Sequence, residues 1–244
     1  MEKKYKTVKE GDLLRIIALK NFSDVKKGDR GGLIEKESNL SQDGDCWVYG
    51  SARVYGNAKI YGNARISGEA EVYDNAQIYG NARISGEAEV YGNAMIYEYA
   101  KVFGEAEVCG DAMIFGDTKI SGVASVYERA NIEGNAKVYG MASIFGKAKI
   151  CETARVYDDA NVYGKAKISG NAEVYGEATI FGCARVFDCA EVYGKALVFD
   201  NAKVCDDAKV YGKANVGGNV LIGEGSVISG KAKIVGGTKN KKTN

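Results

Sequence analysis

A six-residue repeat runs without interruption through most of this 244-residue chain. Between Cys46 and Gly237, thirty-two hexads follow one another with no insertion or deletion. One position of the hexad is Ile or Val in all 32 copies, from Val48 to Ile234, and the position two residues earlier is Ala in 28 of them. The position two residues later is Gly in 23 copies and Asp or Glu in the rest. Such a pattern restricts the chain to a regular stack of repeating units.

Alternation within the hexad predicts its local structure. In Ala-x-Ile/Val, the first and third side chains share one face of a short strand and x points the other way. The residues that follow, such as Tyr-Gly-Asn, must turn the chain. Gly permits the positive φ of a tight corner, and Asn and Asp tolerate it best among the others. The chain has no proline, which fits strands whose N–H groups all take part in a hydrogen-bonded ladder.

A longer period sets the number of faces. Residues 60–77 recur almost unchanged at 78–95, and a column of Ile at spacing 18 runs from Ile60 to Ile168. Eighteen residues make one coil of three hexads. We therefore predict an all-β fold, a single-stranded parallel β-helix that forms a triangular solenoid of ten to eleven coils. Neighbouring coils should lie about 4.8 Å apart, as strands in a sheet do.

The pattern [Ile/Val]-x-x-x-Ala-x resembles the bacterial transferase hexapeptide repeat, and this resemblance implies a left-handed helix. That family usually has Gly directly after the aliphatic residue, as in Val216-Gly217 and Ile222-Gly223, whereas most hexads here have Tyr or Phe there. A right-handed helix of the bactofilin type is therefore the alternative. The segments N-F-S-D-V-K-K-G-D-R-G-G and N-L-S-Q-D-G-D-C-W-V-Y resemble a leader found in bacterial and prophage hexapeptide-repeat proteins, some of them labelled acyltransferases.

The segment before the repeat is predicted to be a small β cap, because a solenoid needs its open end covered. Within it we expect a strand from Leu13 to Leu19, a loop from Gly28 to Gly32 and a return strand at Leu33-Ile34. The predicted domains are the cap, the solenoid and a basic C-terminal tail, over residues 1–45, 46–237 and 238–244.

The chain has no histidine, which removes the commonest general base and the commonest metal ligand. The hexapeptide acyltransferases that it resembles use a catalytic His and usually a loop that interrupts the repeat, and the related γ-class carbonic anhydrases use three His zinc ligands. The six cysteines form no C-x-x-C pair and are expected to be free cytosolic thiols. We predict no catalytic residue, no metal and no cofactor. A degenerate acyltransferase is the alternative.

Aromatic residues occupy 20 of the 32 positions that follow the aliphatic residue. At spacing 18 they form columns, which read Tyr139, Tyr157, Tyr175, Tyr193, Tyr211 and Tyr127, Phe145, Tyr163, Phe181, Phe199. Rings repeated at the coil spacing can stack on one another and shield the corners. The alternative is a flat aromatic surface for a glycan or for another rod.

Charged residues also form columns at spacing 18. The basic column consists of Arg65, Arg83, Lys101, Lys119, Lys137 and Arg155. Stacked like charges repel unless something neutralises them. Internal partners are available at the adjoining corner (Glu69, Glu87, Glu105) and in an acidic column on the next face (Glu71, Glu89, Glu107). The alternatives are pairing of the basic face of one subunit with the acidic face of another, and binding of a polyanion.

Charge balance and hydropathy exclude several classes of partner. With 33 basic and 32 acidic residues the net charge is +1, so nothing draws the whole chain to nucleic acid or an anionic membrane. No apolar run approaches the roughly 20 residues of a membrane span, and no secretory signal follows the first residues. We predict a cytoplasmic, non-enzymatic structural or scaffold solenoid that forms a homo-oligomer or polymer. The alternative is a module that binds a glycan or polyanion through the Tyr or Arg/Lys columns.

Overall fold

A computed structural model describes residues 3–236, and the predicted tail at 238–244 lies outside the described residues. The described chain is all-β, with 35 strands and one short 3-10 helix. None of its helices is long and apolar enough to cross a membrane. The chain divides into two compact units, one ending at Asp117 and the other beginning at Thr118. Each unit is a parallel β-solenoid with three strands per coil, as predicted.

The first unit begins with three longer strands and the 3-10 helix: β1 (Tyr5–Glu10), β2 (Leu13–Ala18), β3 (Arg30–Ile34) and Glu37–Asn39. Strand β2 pairs antiparallel with both β1 and β3, and β3 pairs parallel with β5, so this segment joins the solenoid through a continuous ladder. Twelve two-residue strands follow, which make four coils. These are β4 to β15, at Trp47–Val48, Arg53–Val54, Lys59–Ile60, Arg65–Ile66, Glu71–Val72, Gln77–Ile78, Arg83–Ile84, Glu89–Val90, Met95–Ile96, Lys101–Val102, Glu107–Val108 and Met113–Ile114.

The second unit contains twenty strands, between six and seven coils. These are β16 to β35, at Lys119–Ile120, Ser125–Val126, Asn131–Ile132, Lys137–Val138, Ser143–Ile144, Lys149–Ile150, Arg155–Val156, Asn161–Val162, Lys167–Ile168, Glu173–Val174, Thr179–Ile180, Arg185–Val186, Glu191–Val192, Leu197–Val198, Lys203–Val204, Lys209–Val210, Asn215–Gly217, Leu221–Ile222, Val227–Ile228 and Lys233–Val235.

Every third strand belongs to the same sheet, and we number the sheets by their strands. In the first unit, face 1 contains β5, β8, β11 and β14, face 2 contains β4, β7, β10 and β13, and face 3 contains β6, β9, β12 and β15. In the second unit, face 1 begins at β17, face 2 at β16 and face 3 at β18. Residues 18 apart are register partners, as Lys149 and Lys167 are. Identical positions of successive coils therefore lie side by side.

The inward positions form an apolar core. Ala148 and Ile150 are fully buried, and nearly all equivalent Ala, Ile and Val residues are as well. Lys149, the residue between Ala148 and Ile150, faces outward. Backbone N–H groups donate to the next coil, as from Lys149 to the Ala166 carbonyl at 2.9 Å and from Cys151 to Ile168 at 3.0 Å. This ladder uses the N–H groups that proline lacks, which accounts for its absence.

All 32 predicted corners have a positive φ. The 23 glycines occupy them freely, and the nine other corners are Asp or Glu with φ between 53° and 60°. Several of these carboxylates accept the backbone N–H of the corner one coil later. Glu152 accepts from Gly170 at 2.8 Å, and Asp158 accepts from Gly176 at 3.1 Å. The Asn residues of Tyr-Gly-Asn do not adopt a positive φ, contrary to expectation. Asn57 and Asn93 of this motif hydrogen-bond instead with Asn75, which follows a corner Asp.

The cap differs from the sequence prediction in two ways. Gly31 and Gly32 lie in β3 and not in a loop, because the backbone there packs closely on its neighbours. A Cβ on Gly31 would lie 2.5 Å from Cγ1 of Ile16 and 2.6 Å from the Val48 carbonyl oxygen. Strand β1 was not predicted, since most of its exposed residues are charged, although Tyr5 within it is fully buried.

The N-terminal segment covers the outward residue of the first coil. Trp47 occupies the outward position of β4 but is only 1% exposed. The ring of Phe22 lies 5.3 Å from it and the ring of Tyr5 lies 6.2 Å away, both edge to face. Ile16, Ile34 and Leu40 are buried as well. The leader therefore packs an apolar cluster of its own against the solenoid.

Candidate functional site

In the first unit, the basic column occupies face 2. Arg65, Arg83 and Lys101 are register neighbours on β7, β10 and β13. Arg65 is held by the leader, because its guanidinium lies 3.2 Å from the Asp24 carboxylate and 2.8 Å from the Ser23 hydroxyl. Among residues 3–236, neither Arg83 nor Lys101 forms an ion pair. Two of the three cations therefore keep an uncompensated charge.

A shallow cleft of about 170 Å³ lies beside these arginines, where the leader meets face 2. It is lined by Ser23, Asp45, Asn63, Arg65, Asn81 and Arg83. Asn63 donates to Asn81 at 3.2 Å and accepts from the Asp45 N–H at 3.3 Å. Asp45 is the acidic residue among the six that line the cleft, and Asp24 pairs with Arg65.

In the second unit, the remaining residues of the basic column lie on face 2. Lys119, Lys137 and Arg155 are register neighbours. Arg155 binds Glu173 one coil later at 2.8 Å. Lys119 and Lys137 have no ion-pair partner in the part of the chain that the structure describes. Three corner glutamates were expected as internal partners of the basic column, namely Glu69, Glu87 and Glu105. Within residues 3–236 they form no ion pair with that column.

The acidic column is present on face 1 of the first unit. Glu71, Glu89 and Glu107 are register neighbours on β8, β11 and β14. Each accepts a hydrogen bond from a tyrosine hydroxyl 16 residues earlier: Tyr55 to Glu71 at 2.7 Å, Tyr73 to Glu89 at 3.0 Å, and Tyr91 to Glu107. Arg53 pairs with Glu71 at 3.2 Å. No cation within residues 3–236 pairs with Glu89 or Glu107.

These contacts favour the protonated form of the phenols. Burial, and then the hydrogen bond to Glu89, raise the pKa of Tyr73 above its ordinary value of 10.0. For Tyr91, the hydrogen bond to Glu107 is the largest cause of the raised pKa. A neutral phenol donates a hydrogen bond without cancelling the negative charge of its acceptor. The phenols therefore add no positive charge that would neutralise the acidic column.

The tyrosine column of the second unit is stacked face to face, as predicted. Successive rings from Tyr139 to Tyr211 lie 4.8–4.9 Å apart and are tilted by 2–5°. Tyr157 and Tyr175 also donate to Glu173 and Glu191, at 2.8 and 3.0 Å. Neighbouring rings cover each other's faces and leave edges toward solvent. Its use as a binding surface stays a prediction.

The cysteines differ in exposure. Cys46, Cys151 and Cys205 are buried, while Cys183 and Cys189 are exposed. Burial, followed by the neighbouring Asp206 carboxylate, raises the pKa of the Cys205 thiol to about 11, so it is protonated at neutral pH.

Asp188, Cys205 and Asp206 place one ligand atom each within 4.8 Å of the others. The Asp206 carboxylate accepts the Glu224 N–H at 2.9 Å. Part of its hydrogen-bonding capacity is therefore used by the backbone of the next coil.

Two features escaped the sequence analysis. The hydrogen bonds from Tyr to Glu join residues 16 apart, and the period of 18 does not reveal this spacing. A second basic row lies on face 3 of the second unit, formed by Lys149, Lys167, Arg185 and Lys203. The sequence does contain a signal for this row, because its four members are basic residues at the same spacing of 18.

Comparison with known proteins agrees with this architecture. A family model described as the YdcK β-solenoid repeat matches residues 76–88. The uncharacterized acetyltransferase YdcK of Escherichia coli (strain K12) is 50% identical over 42 residues, which is 17% of this chain and 13% of that protein. The coil and these short matches support the resemblance to the hexapeptide-repeat superfamily.

Proposed function

We propose that the protein is a non-enzymatic structural scaffold, a solenoid that self-associates through faces of opposite charge. One observation carries this proposal. In the first unit, face 2 presents Arg83 and Lys101 and face 1 presents Glu89 and Glu107, and none of these four residues has an ion-pair partner within residues 3–236. A second copy can supply the missing partners on both faces.

The two columns repeat with the same spacing, because both follow the coils of one solenoid. Each cation on face 2 of one copy can therefore oppose a carboxylate on face 1 of another. A single exposed ion pair contributes about 0.2–1 kcal/mol, so assembly requires several pairs together. The contact should weaken as salt is added.

The symmetry of such a contact determines how far it extends. A basic face on one copy and an acidic face on the next make a head-to-tail contact. However many copies are added, one basic face and one acidic face remain free at the two ends of the assembly. Contacts of this kind close into rings or continue as filaments. We therefore expect species larger than a dimer.

Two features of the sequence support a role without catalysis. The chain has no histidine, and the 32 hexads contain no inserted loop that could build a cleft. The inward positions are closed by Ala, Ile and Val. A structural role needs no more than a stable rod with repeated outer faces.

A charge-swap experiment tests the proposal. The variant Arg83→Glu/Lys101→Glu makes both faces acidic, and Glu89→Lys/Glu107→Lys makes both basic. Each alone should sediment as a smaller species than the unmodified protein at low salt. Mixed in equal amounts they should assemble, since each can then bind only the other. The proposal is wrong if both variants assemble like the unmodified protein, or if the mixture does not assemble.

Acyl transfer is the second candidate, and the name of the YdcK relative favours it. The observation is a match over 13% of that protein. Calorimetric titration of the full chain with acetyl-CoA tests this candidate. Saturable binding would support it, and absence of heat at high concentrations would dismiss it.

A further inference from the structure

Face 3 of the second unit carries a row of cations that the scaffold role does not use. Lys149, Lys167, Arg185 and Lys203 are register neighbours on β21, β24, β27 and β30, and we call them the face-3 basic row. Lys149 pairs with Glu133 at 2.7 Å. The other three have no ion-pair partner among residues 3–236. Like charges that lie directly opposite each other destabilise a sheet, so a bound anion would relieve a cost in the free protein.

Two further cations widen this row along one edge. Lys147 and Lys165 precede β21 and β24 at the corner, and both side chains are exposed. They arise because the hexads at 145–150 and 163–168 both read Gly-Lys-Ala-Lys-Ile after an aromatic residue. Six cations thus lie on four successive coils.

The opposite edge of the face-3 basic row is formed by small side chains. Its corner has small buried side chains, Cys151, Ser169 and Cys205, at 3%, 7% and 6% exposure, where most hexads have Tyr or Phe. In the first unit, the same column of face 3 carries stacked rings at Tyr61 and Tyr79. Between 151 and 205, Phe187 is the one ring in that column. A chain molecule can therefore lie against the basic row without a continuous aromatic wall.

Acidic residues lie along this edge, so the two edges of the face-3 basic row differ in charge. The carboxylates of Glu152, Asp188 and Asp206 accept backbone N–H groups of the next coil, at 2.8, 3.5 and 2.9 Å. An anion is therefore repelled from this edge and attracted toward Lys147 and Lys165. The favourable track follows the direction in which the coils stack.

We propose that the face-3 basic row binds an extended anionic polysaccharide with one acidic group on each sugar. The row repeats once per coil, at about 4.8 Å, which is close to the length of one sugar in an extended chain. A small anion would contact two of these cations at most, whereas a polymer contacts all four. Single-stranded nucleic acid would need free aromatic faces for its bases, and the rings from Phe145 to Phe199 in this unit are stacked on one another.

Binding of labelled oligogalacturonate to the full chain, followed by fluorescence anisotropy, tests this assignment. The test variant is Lys167→Gln/Arg185→Gln, and the control is Lys119→Gln/Lys137→Gln, which removes the same charge from face 2. The test variant should bind at least about tenfold more weakly, and its dependence on salt should be shallower because fewer counterions are displaced. The control should bind within about twofold of the unmodified protein.

Several outcomes would overturn the proposal. The first is no binding by the unmodified protein at low salt. The second is an equal loss of affinity in both double variants, which would indicate a non-specific charge effect. The third is tighter binding of oligothymidylate than of oligogalacturonate, which would assign the surface to nucleic acid. If thermal unfolding shows that the test variant is not folded, Lys147→Gln/Lys165→Gln at the exposed corner replaces it, with the same expected loss.

Discussion

At the scale of single residues, the corners show how far composition predicts structure. The spacing of Gly, Asp and Glu identifies every corner, and each of them has a positive φ. The sequence did not explain why acids replace glycine at nine corners. The structure does so where the carboxylate accepts the N–H of the next corner, as Asp158 does from Gly176. Such a bond offsets part of the cost of a left-handed backbone.

Asp158 provides a test of this account. Asp158→Ala should lower stability by about 1–2 kcal/mol, because Ala keeps the strained φ and loses the acceptor. Asp158→Gly should cost less, since Gly adopts the same φ without strain. Thermal unfolding of the three proteins compares them directly. An Ala variant as stable as the unmodified protein would contradict the account.

Thr118 occupies an inward position at which 28 of the 32 hexads have Ala. It is fully buried, and within residues 3–236 its hydroxyl has no hydrogen-bond partner. Thr118→Val removes the hydroxyl and keeps the volume. Since an unpaired buried polar group costs about 1–3 kcal/mol, the variant should melt at a higher temperature. Thr118→Ser, which keeps the hydroxyl and loses a methyl group, should melt lower. A Val variant that melts below the unmodified protein would show that the hydroxyl is paired.

At the scale of structural elements, the stacking of the tyrosine rings could be predicted from the sequence, whereas the hydrogen bonds of their hydroxyl groups could not. Rings 18 residues apart must lie one coil apart, so the Tyr columns follow from the period alone. Several Tyr hydroxyls donate instead to the residue 16 positions later, which is Glu for Tyr55, Tyr157 and Tyr175. The bond from Tyr157 to Glu173 therefore depends on side-chain direction, and the spacing of the columns does not contain that information.

Tyr157→Phe tests the contribution of this bond. The ring stays in the stack while Glu173 keeps Arg155 at 2.8 Å and loses the phenol. We expect a loss of about 0.5–1.5 kcal/mol, the usual net value of a hydrogen bond. Thermal unfolding at pH 7 measures it. Tyr139→Phe is a matched control, because the Tyr139 hydroxyl donates no hydrogen bond within residues 3–236 while its ring is stacked in the same column.

The same bonds predict a limit of stability at high pH. Burial, and then the hydrogen bonds to Glu173 and Glu191, raise the pKa of Tyr157 and of Tyr175 above 10.0. A group whose pKa is raised by folding stabilises the native state fully below its unfolded pKa, and this stability is lost as the pH rises through the folded value. The melting temperature should therefore begin to fall near pH 10. The double variant Tyr157→Phe/Tyr175→Phe should show a shallower fall, and an unchanged slope would contradict this assignment.

The leader illustrates a different limit of the sequence. The strand at Leu13–Ala18 was expected from its apolar run, and it is present. Gly31 and Gly32 looked like a loop because Gly is the usual residue of turns. They belong to a strand where Ile16 and Val48 leave no room for a Cβ. Close backbone approach of this kind appears in the tertiary structure and not in the local pattern.

At the scale of the whole molecule, the period determined the coil, whereas the partners depend on charge. The sequence placed the basic and acidic columns on different faces, and the register confirms both columns in the first unit. It left open whether the charges neutralise one another within the chain. The structure answers residue by residue: Arg65 and Arg155 have internal partners, while Arg83 and Lys101 have none within residues 3–236. This difference underlies the proposed self-association.

Sedimentation velocity of the unmodified full-length protein is the most direct test of that proposal. At about 0.01 M salt, where electrostatic screening reaches roughly 30 Å, we expect species of more than two chains whose mass grows with protein concentration. At about 1 M salt, where screening falls to roughly 3 Å, the protein should sediment with the mass of one chain. The mass of one chain at every concentration in low salt would contradict the account.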